Sequence, residues 1–165
     1  MILFRKQGHG QIVQISSMAG QYSTPAMGLY SASKWAVEAS FEALAKEVAE
    51  FNVQTTIVEP GGIRTNFAGG HGVFSKPMDI YKDTEAGKIT ALISGIIPAS
   101  AGMENSILGD PDKMADQIIK RVEQGHGPLR LALGSDSYNK MHEGLENRLV
   151  ALEDQKDGAC VTDYK

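Results

Sequence analysis

Two β-branched runs bracket one long helical pattern, and that order decides most of what this chain can become. GQIVQISS at 10–17 follows a glycine and reads as a buried strand. VQTTIVEP at 53–60 reads as a second strand, terminated by Pro60-Gly61-Gly62. Between them, over 30–51, Val37, Phe41, Leu44 and Val48 recur at steps of four, three and four, forming one apolar stripe on a helix. Ala32, Ala36, Ala39 and Ala43 form a second stripe of small residues, where another backbone can approach closely. Strand, helix and strand in that order make a βαβ unit, so the strands are expected to be parallel and the crossover right-handed.

The remaining pattern extends this plan. Asp110-Pro111 is a helix start, with Met114, Ile118, Ile119 and Val122 expected on one face of the helix it opens. PLRLALG at 128–134 reads as a third strand. Ser135 is expected to cap a last helix, with Tyr138, Met141, Leu145, Leu149 and Leu152 on its inner side. From 66 to 108 the pattern weakens, with glycines at 69–72 and a modest helix expected over 84–97, ended by Pro98. A connection this long is usually functional. The opening, MILFRKQGHG, reads as the end of a helix, with Arg5 and Lys6 at the negative end of its dipole and Gly8 as its stop. The tail at 157–165 is polar and expected to be loose.

The sum is an α/β fold, a Rossmann-like parallel sheet with flanking helices, expected as a single unit over 1–156. Three strands are few for a parallel sheet, and QIVQI is expected at an unprotected edge, so the fold reads as incomplete.

Composition then narrows the partners. A net charge of -4 gives no reason to expect nucleic acid or an anionic membrane. Cys160 is the single cysteine, which excludes an internal disulfide and makes a reducing, cytoplasmic setting the expectation. No apolar run approaches the roughly 20 residues of a membrane span. His9, His71, His126 and His142 show no metal-ligand spacing, and no metal site is expected.

The segment SSMAGQYSTPAMGLYSASKWA at 16–36 carries the chemistry. Tyr30 and Lys34 stand at i and i+4, so both can point into one pocket from one helix face. A free tyrosine has a pKa of about 10, and a neighbouring ammonium lowers it by stabilising the phenolate. Such a tyrosine can give a proton to a carbonyl oxygen or take one from an alcohol. Ser17, at the end of a strand, would project at the carboxyl edge of the sheet, where ligands gather in open α/β folds. Taken alone, Tyr-x-x-x-Lys is common on surface helices, and a serine pair after a strand is ordinary turn chemistry. The fixed intervals linking Ser17, Tyr30, Lys34, Pro60-Gly61 and Thr65 are what set it apart.

With those intervals, GQIVQISSMAG…YSASKWAVEASFEALAKEVAEFNVQTTIVEPGGIRTNF resembles the short-chain dehydrogenase/reductase family over about the first 67 residues. DPDKMADQIIKRVEQG and PLRLALGSDSY resemble the carboxyl-terminal third of that family, less specifically. The resemblance implies hydride transfer between NAD or NADP and a carbonyl or alcohol substrate. It implies Tyr30 as general acid/base and Ser17 as holder of the substrate oxygen. Lys34 would lower the Tyr30 pKa and hydrogen-bond the nicotinamide ribose. Pro60, Gly61, Ile63 and Thr65 would line the nicotinamide, with Thr65 and the backbone near Ile63 meeting its carboxamide. A strand-ending glycine would let the backbone approach the ring. Ser16 is the other candidate for the serine role, and the interval to Tyr30 favours Ser17.

The family's opening strand, glycine-rich turn and helix, which bind the pyrophosphate, have no counterpart here. GGHG at 69–72 has the wrong place and spacing and reads as part of a substrate-binding loop over 66–110. The acidic or basic residue that selects NAD over NADP is likewise missing, as is the helix asparagine of the proton relay. The resemblance therefore implies a carboxyl-terminal half, with weak or no cofactor binding by the chain alone. Two other readings remain: a non-catalytic half-domain that associates with itself or full-length relatives through the 30–51 helix, and an inactive gene fragment. Phe67, Phe74, Ile80 and Tyr81 would form a lid or anchor the long loop. Met18, Met27, Met78 and Met103 read as filler, Trp35 as packing, and the charges of EALAKEVAE as a solvated helix face.

Overall fold

The computed structural model describes residues 1–65, 74–94 and 107–164. GGHG, Phe67 and Met103 lie outside the described residues, as does the end of the helix expected to run to 97.

The three expected strands form: β1 (Gly10–Ile15), β2 (Val53–Pro60) and β3 (Arg130–Leu133). They make a parallel sheet in the order β1-β2-β3. Gly10 faces Val53 and Ile15 faces Val58 along the first pair, and Ile57 faces Arg130 at the start of the second. The sheet is Rossmann-like, with β1 at an edge as its sequence predicts. It is preceded by α1 (Ile2–Gln7), which Gly8 stops in the left-handed region at φ 77°.

Between β1 and β2 runs α2 (Gly28–Val48), starting two residues before the expected position and ending in a 3-10 turn at Ala49–Phe51. Asn52, at φ 54°, makes the left-handed step into β2 that glycine usually makes. The Val37, Phe41, Leu44 and Val48 stripe faces inward, with Val48 buried completely. After β2 come α3 (Glu85–Ile93), α4 (Pro111–Gln124), α5 (Ser135–Glu153) and a short α6 (Lys156–Cys160). Thr84 caps α3 by accepting from the Gly87 amide, and Asp110 caps α4 by accepting from the amides of Asp112 and Lys113.

Two layers of packing hold the sheet. On one face Val58, Met114 and Leu133 form a buried cluster, against which Val13, Ile63, Ile118 and Leu131 pack. On the other, Ile57 and Glu59 are buried beneath α2 and α5.

Several expectations need correction. Ile119 is exposed, because a stripe that curves round α4 leaves one member outside the sheet contact. Ser135 is the first residue of α5 and makes no cap hydrogen bond; Gly134 stands at the cap. Of the expected inner face of α5 only Met141 is buried, while Tyr138, Leu145, Leu149 and Leu152 are exposed, because the helix runs past the end of the short sheet. The tail forms α6 over Lys156–Cys160 where loose chain is expected.

Candidate active site

Parallel strands deliver their carboxyl ends to one edge, so residues far apart in sequence meet there. At the end of β1 the chain leaves the sheet through Ser16 and Ser17, both buried. Ser17 is extended at φ −169° and caps a 3-10 turn at Met18–Gly20, its Oγ accepting from the Ala19 amide at 3.1 Å. The Ser16 Oγ has no hydrogen-bond partner among the described residues, and it faces the carboxylate side of α2: a side chain on Gly20 would meet Ser16 Oγ at 3.0 Å and Glu38 Cγ at 2.8 Å.

Tyr30 and Lys34 lie in the first two turns of α2, half-buried. The Lys34 ammonium donates to the Ile15 carbonyl at 3.4 Å and stands 5.8 Å from the centre of the Tyr30 ring. Lys34 thereby ties the start of α2 to the last carbonyl of β1, two residues before Ser17. An ammonium carries three donors, so this bond leaves it able to serve hydroxyl acceptors as well. That donor set fits a sugar diol. Tyr30 and Lys34 thus stand together at the carboxyl end of β1, where the chain turns away through Ser17.

The segment following β2 is bound on three sides. The Gly61 amide donates to the Leu133 carbonyl at 2.9 Å, and the Gly62 carbonyl accepts from the Gly109 amide at 2.9 Å. Ile63 bridges to Gly109, the Arg64 amide donates to the Gly109 carbonyl at 2.9 Å and the Thr65 amide to the Ile63 carbonyl at 2.8 Å. Arg64 Nε reaches the Ile107 carbonyl at 2.6 Å. Pro60 is buried, Gly61 and Ile63 half-buried, and Thr65 exposed. The Ile63 side chain packs against the core, so toward a ligand it offers backbone alone.

Gly61 is required for a reason the sequence does not reveal. A Cβ there would fall on the Asp136 carboxylate rather than merely narrow an open pocket. Asp136 comes from the first turn of α5, and its Oδ2 accepts from the Gly62 amide at 2.7 Å.

Behind this edge lies a charge cluster. Arg130 Nε donates to Glu38 Oε2 at 3.0 Å and lies 3.4 Å from Glu59 Oε1, while its Nη2 donates to Glu42 at 2.8 Å. Gln21 Nε2 also reaches Glu38, at 3.4 Å. The Glu38 and Glu59 side chains are 4% and 3% exposed. Burial first, and then the neighbouring Glu38 charge, push the Glu59 carboxyl up to about 7 against the pull of Arg130. At exposed Glu42 the guanidinium bond dominates and holds the carboxyl below its usual range. Glu42 is therefore only partly a residue of the solvated face expected for EALAKEVAE. No group of His, Cys, Asp or Glu suited to a metal ion occurs among the described residues, and no described helix is long and apolar enough to cross a membrane.

The comparisons with known proteins bear on the fold and the family. Residues 1–72 match the family model described as short chain dehydrogenase. The fold matches a solved short-chain dehydrogenase from Streptomyces avermitilis at a TM-score of 0.83 and 35% identity, covering 99% of this chain and 56% of that one. The chain belongs to the short-chain dehydrogenase/reductase family. An oxidoreductase of Botryotinia fuckeliana is 33% identical over 154 residues, which is 93% of this chain and 53% of that protein. Retinol dehydrogenase 8 of Bos taurus is 31% identical over 126 residues, 76% of this chain and 39% of that protein. An NADPH-dependent 3-dehydrocapnine reductase of Ornithobacterium rhinotracheale is 43% identical over 82 residues, 50% of this chain and 28% of that protein. The chain spans about half the length of the curated relatives it matches first, 53% and 49%.

Two parts of this candidate site escape the sequence reading. Asp136 is one, and its only sequence signal is an acidic residue just past a strand-ending glycine. The Glu38, Glu59 and Arg130 cluster is the other; its members lie on three separate elements, and no spacing links them.

Proposed function

We propose that this chain carries the proton-transfer and nicotinamide-ring side of an NAD(P)-dependent oxidoreductase acting on a carbonyl or alcohol. The observation that supports the reading is the Lys34 ammonium, bonded to Ile15 at the end of β1, two residues before Ser17 in sequence, and 5.8 Å from the Tyr30 ring. NAD or NADP, when bound, supplies or accepts the hydride at the substrate carbon. Tyr30 gives the proton to the carbonyl oxygen in reduction and removes it from the alcohol in oxidation. Lys34 stabilises the phenolate left behind and donates to the ribose hydroxyls. Ser17 Oγ accepts from Ala19, which leaves its own proton to donate to the substrate oxygen. The segment Pro60, Gly61, Ile63 and Thr65 lines the nicotinamide. Residues 1–156 act as one unit, with 66–110 on the substrate side. The exposed Cys160 thiol suits a reducing, cytoplasmic setting.

The test is titration of the chain with NADH and with NADPH, followed by turnover of wild type and Tyr30→Phe on a panel of ketones and alcohols. Weak binding by both proteins, with turnover lost in Tyr30→Phe, is expected. Turnover unchanged by that substitution refutes the role of Tyr30.

A second reading is favoured by the exposure of Ala32, Ala36, Ala39 and Ala43 along α2: association with another copy or a longer relative through this helix. Co-purification with such a partner, with no nucleotide bound, supports it over the first.

A further inference from the structure

We propose that Asp136 is a positioning residue that sets the Gly61-Gly62 turn for the nicotinamide. This rests on the function proposed above. The carboxylate reaches across 74 residues of sequence to accept from the Gly62 amide at 2.7 Å. It fills the space of a Gly61 side chain. Its Oδ1 lies 2.6 Å from where a Gly134 Cβ would stand, and its Oδ2 lies 3.5 Å from that of Gly62. Two glycines, Gly61 and Gly134, thus make room for one carboxylate. Gly134 is constrained further by its φ of 102°.

An acidic residue in a first helical turn is ordinarily a partner for the helix dipole. That role is satisfied by a carboxylate facing water. Here Oδ1 is buried with no hydrogen-bond donor among the described residues, a desolvation cost that a dipole role alone does not require. The return on that cost is geometric. Gly62 is held at both ends, its amide by Asp136 and its carbonyl by Gly109 at 2.9 Å. The peptide planes on either side of Gly62 therefore cannot rotate independently, and the backbone up to Ile63 and Thr65 is presented in one orientation. Glycine in sequence at 61 and 62 would otherwise leave this the softest part of the site. Displacements of about 1 Å cost on the order of a hundredfold where a reacting ring must be aligned.

The experiment compares Asp136→Asn, which keeps a carbonyl oxygen for the Gly62 amide, with Asp136→Ser, which keeps a polar helix start and cannot reach it. Amide exchange is measured on the ligand-free chain by NMR. Gly62 exchange is expected to rise about tenfold or more in Asp136→Ser and to stay near wild type in Asp136→Asn. Gly61→Ala is expected to lower the melting temperature strongly in the wild-type background and much less with Asp136→Ser, a non-additivity that reports their shared space. NADPH and NADH affinity should fall about tenfold in Asp136→Ser and be retained in Asp136→Asn. Unchanged Gly62 exchange in Asp136→Ser overturns the positioning role. So does cofactor affinity that survives the loss of Gly62 protection. Failure of the wild type to bind either nucleotide refutes the proposed function instead, and exchange with the Gly61→Ala melts still decides whether Asp136 sets the turn.

Discussion

Replacing Glu59 by glutamine should make the protein more stable in mild alkali and leave it unchanged in mild acid. Glu59 is one of three carboxylates around a single guanidinium, and its carboxyl is pushed from 4.5 up to about 7 by burial and then by Glu38. The folded state therefore holds a proton that the unfolded chain releases. Between 4.5 and about 7 the native state binds more protons, so stability falls as pH rises through that window and is fully present only below it. Each pH unit of the window costs up to about 1.4 kcal/mol, or about 3 kcal/mol across it with no screening. Water reaches the cluster from the Arg130 side, where that side chain is 33% exposed, and screening reduces the expected cost to about 2 kcal/mol. Glutamine mimics the protonated acid: its amide can donate to Glu38 and its oxygen can face Arg130, at every pH. Urea unfolding followed by circular dichroism at pH 5, 6, 7 and 8 measures the difference. Equal stability at pH 5 and a Glu59→Gln gain of about 2 kcal/mol at pH 8 are expected. Glu42 and the exposed histidines are common to both proteins, and the difference reports the Glu38–Glu59 pair, which titrates as a unit. Parallel profiles, or a variant weaker at every pH, would refute the protonated carboxyl.

The opposite change to the same cluster, Arg130→Met, leaves the buried Glu38 without its cation, while Glu42 keeps Lys46, and should cost about 3–5 kcal/mol by denaturant unfolding. Ile57→Ala, at a side chain 0% exposed in the central strand, should cost about 2–5 kcal/mol in the same assay. Arg148 stacks 4.8 Å from the ring centre of Trp35, the one tryptophan in the chain. Arg148→Ala should shift the fluorescence emission while changing stability by less than about 1 kcal/mol.

The strands and the long helix were legible because their signals are local. β-branched runs ended by glycine or proline, and apolar steps of three and four, report which backbone bonds and which faces a segment can bury. Tyr30 and Lys34 were legible for the same reason, since four residues of helix bring them together whatever the rest of the chain does. Errors arose where burial depends on what lies opposite. Leu145, Leu149 and Leu152 carry the spacing of an inner face, yet the three-stranded sheet ends before it reaches them. Ser135 has the chemistry of a cap, yet Gly134 takes the turn and the serine falls inside the helix. At Gly61 the strand-ending glycine is legible in the sequence, whereas the Asp136 carboxylate that fills its Cβ position is not.

By itself the sequence determined the βαβ order, the parallel sense of its strands, the helix that carries Tyr30 and Lys34, and the family to which those intervals belong. These follow from period, turn chemistry and chain connectivity, which act over a few residues. Only the tertiary structure decided that Asp136 grips Gly62 and that Glu59 shares Arg130 with Glu38 and Glu42. Those contacts join residues 71 to 92 positions apart. A carboxylate's partners, its burial and so its charge are set by what the fold packs against it, and no local pattern encodes that neighbour.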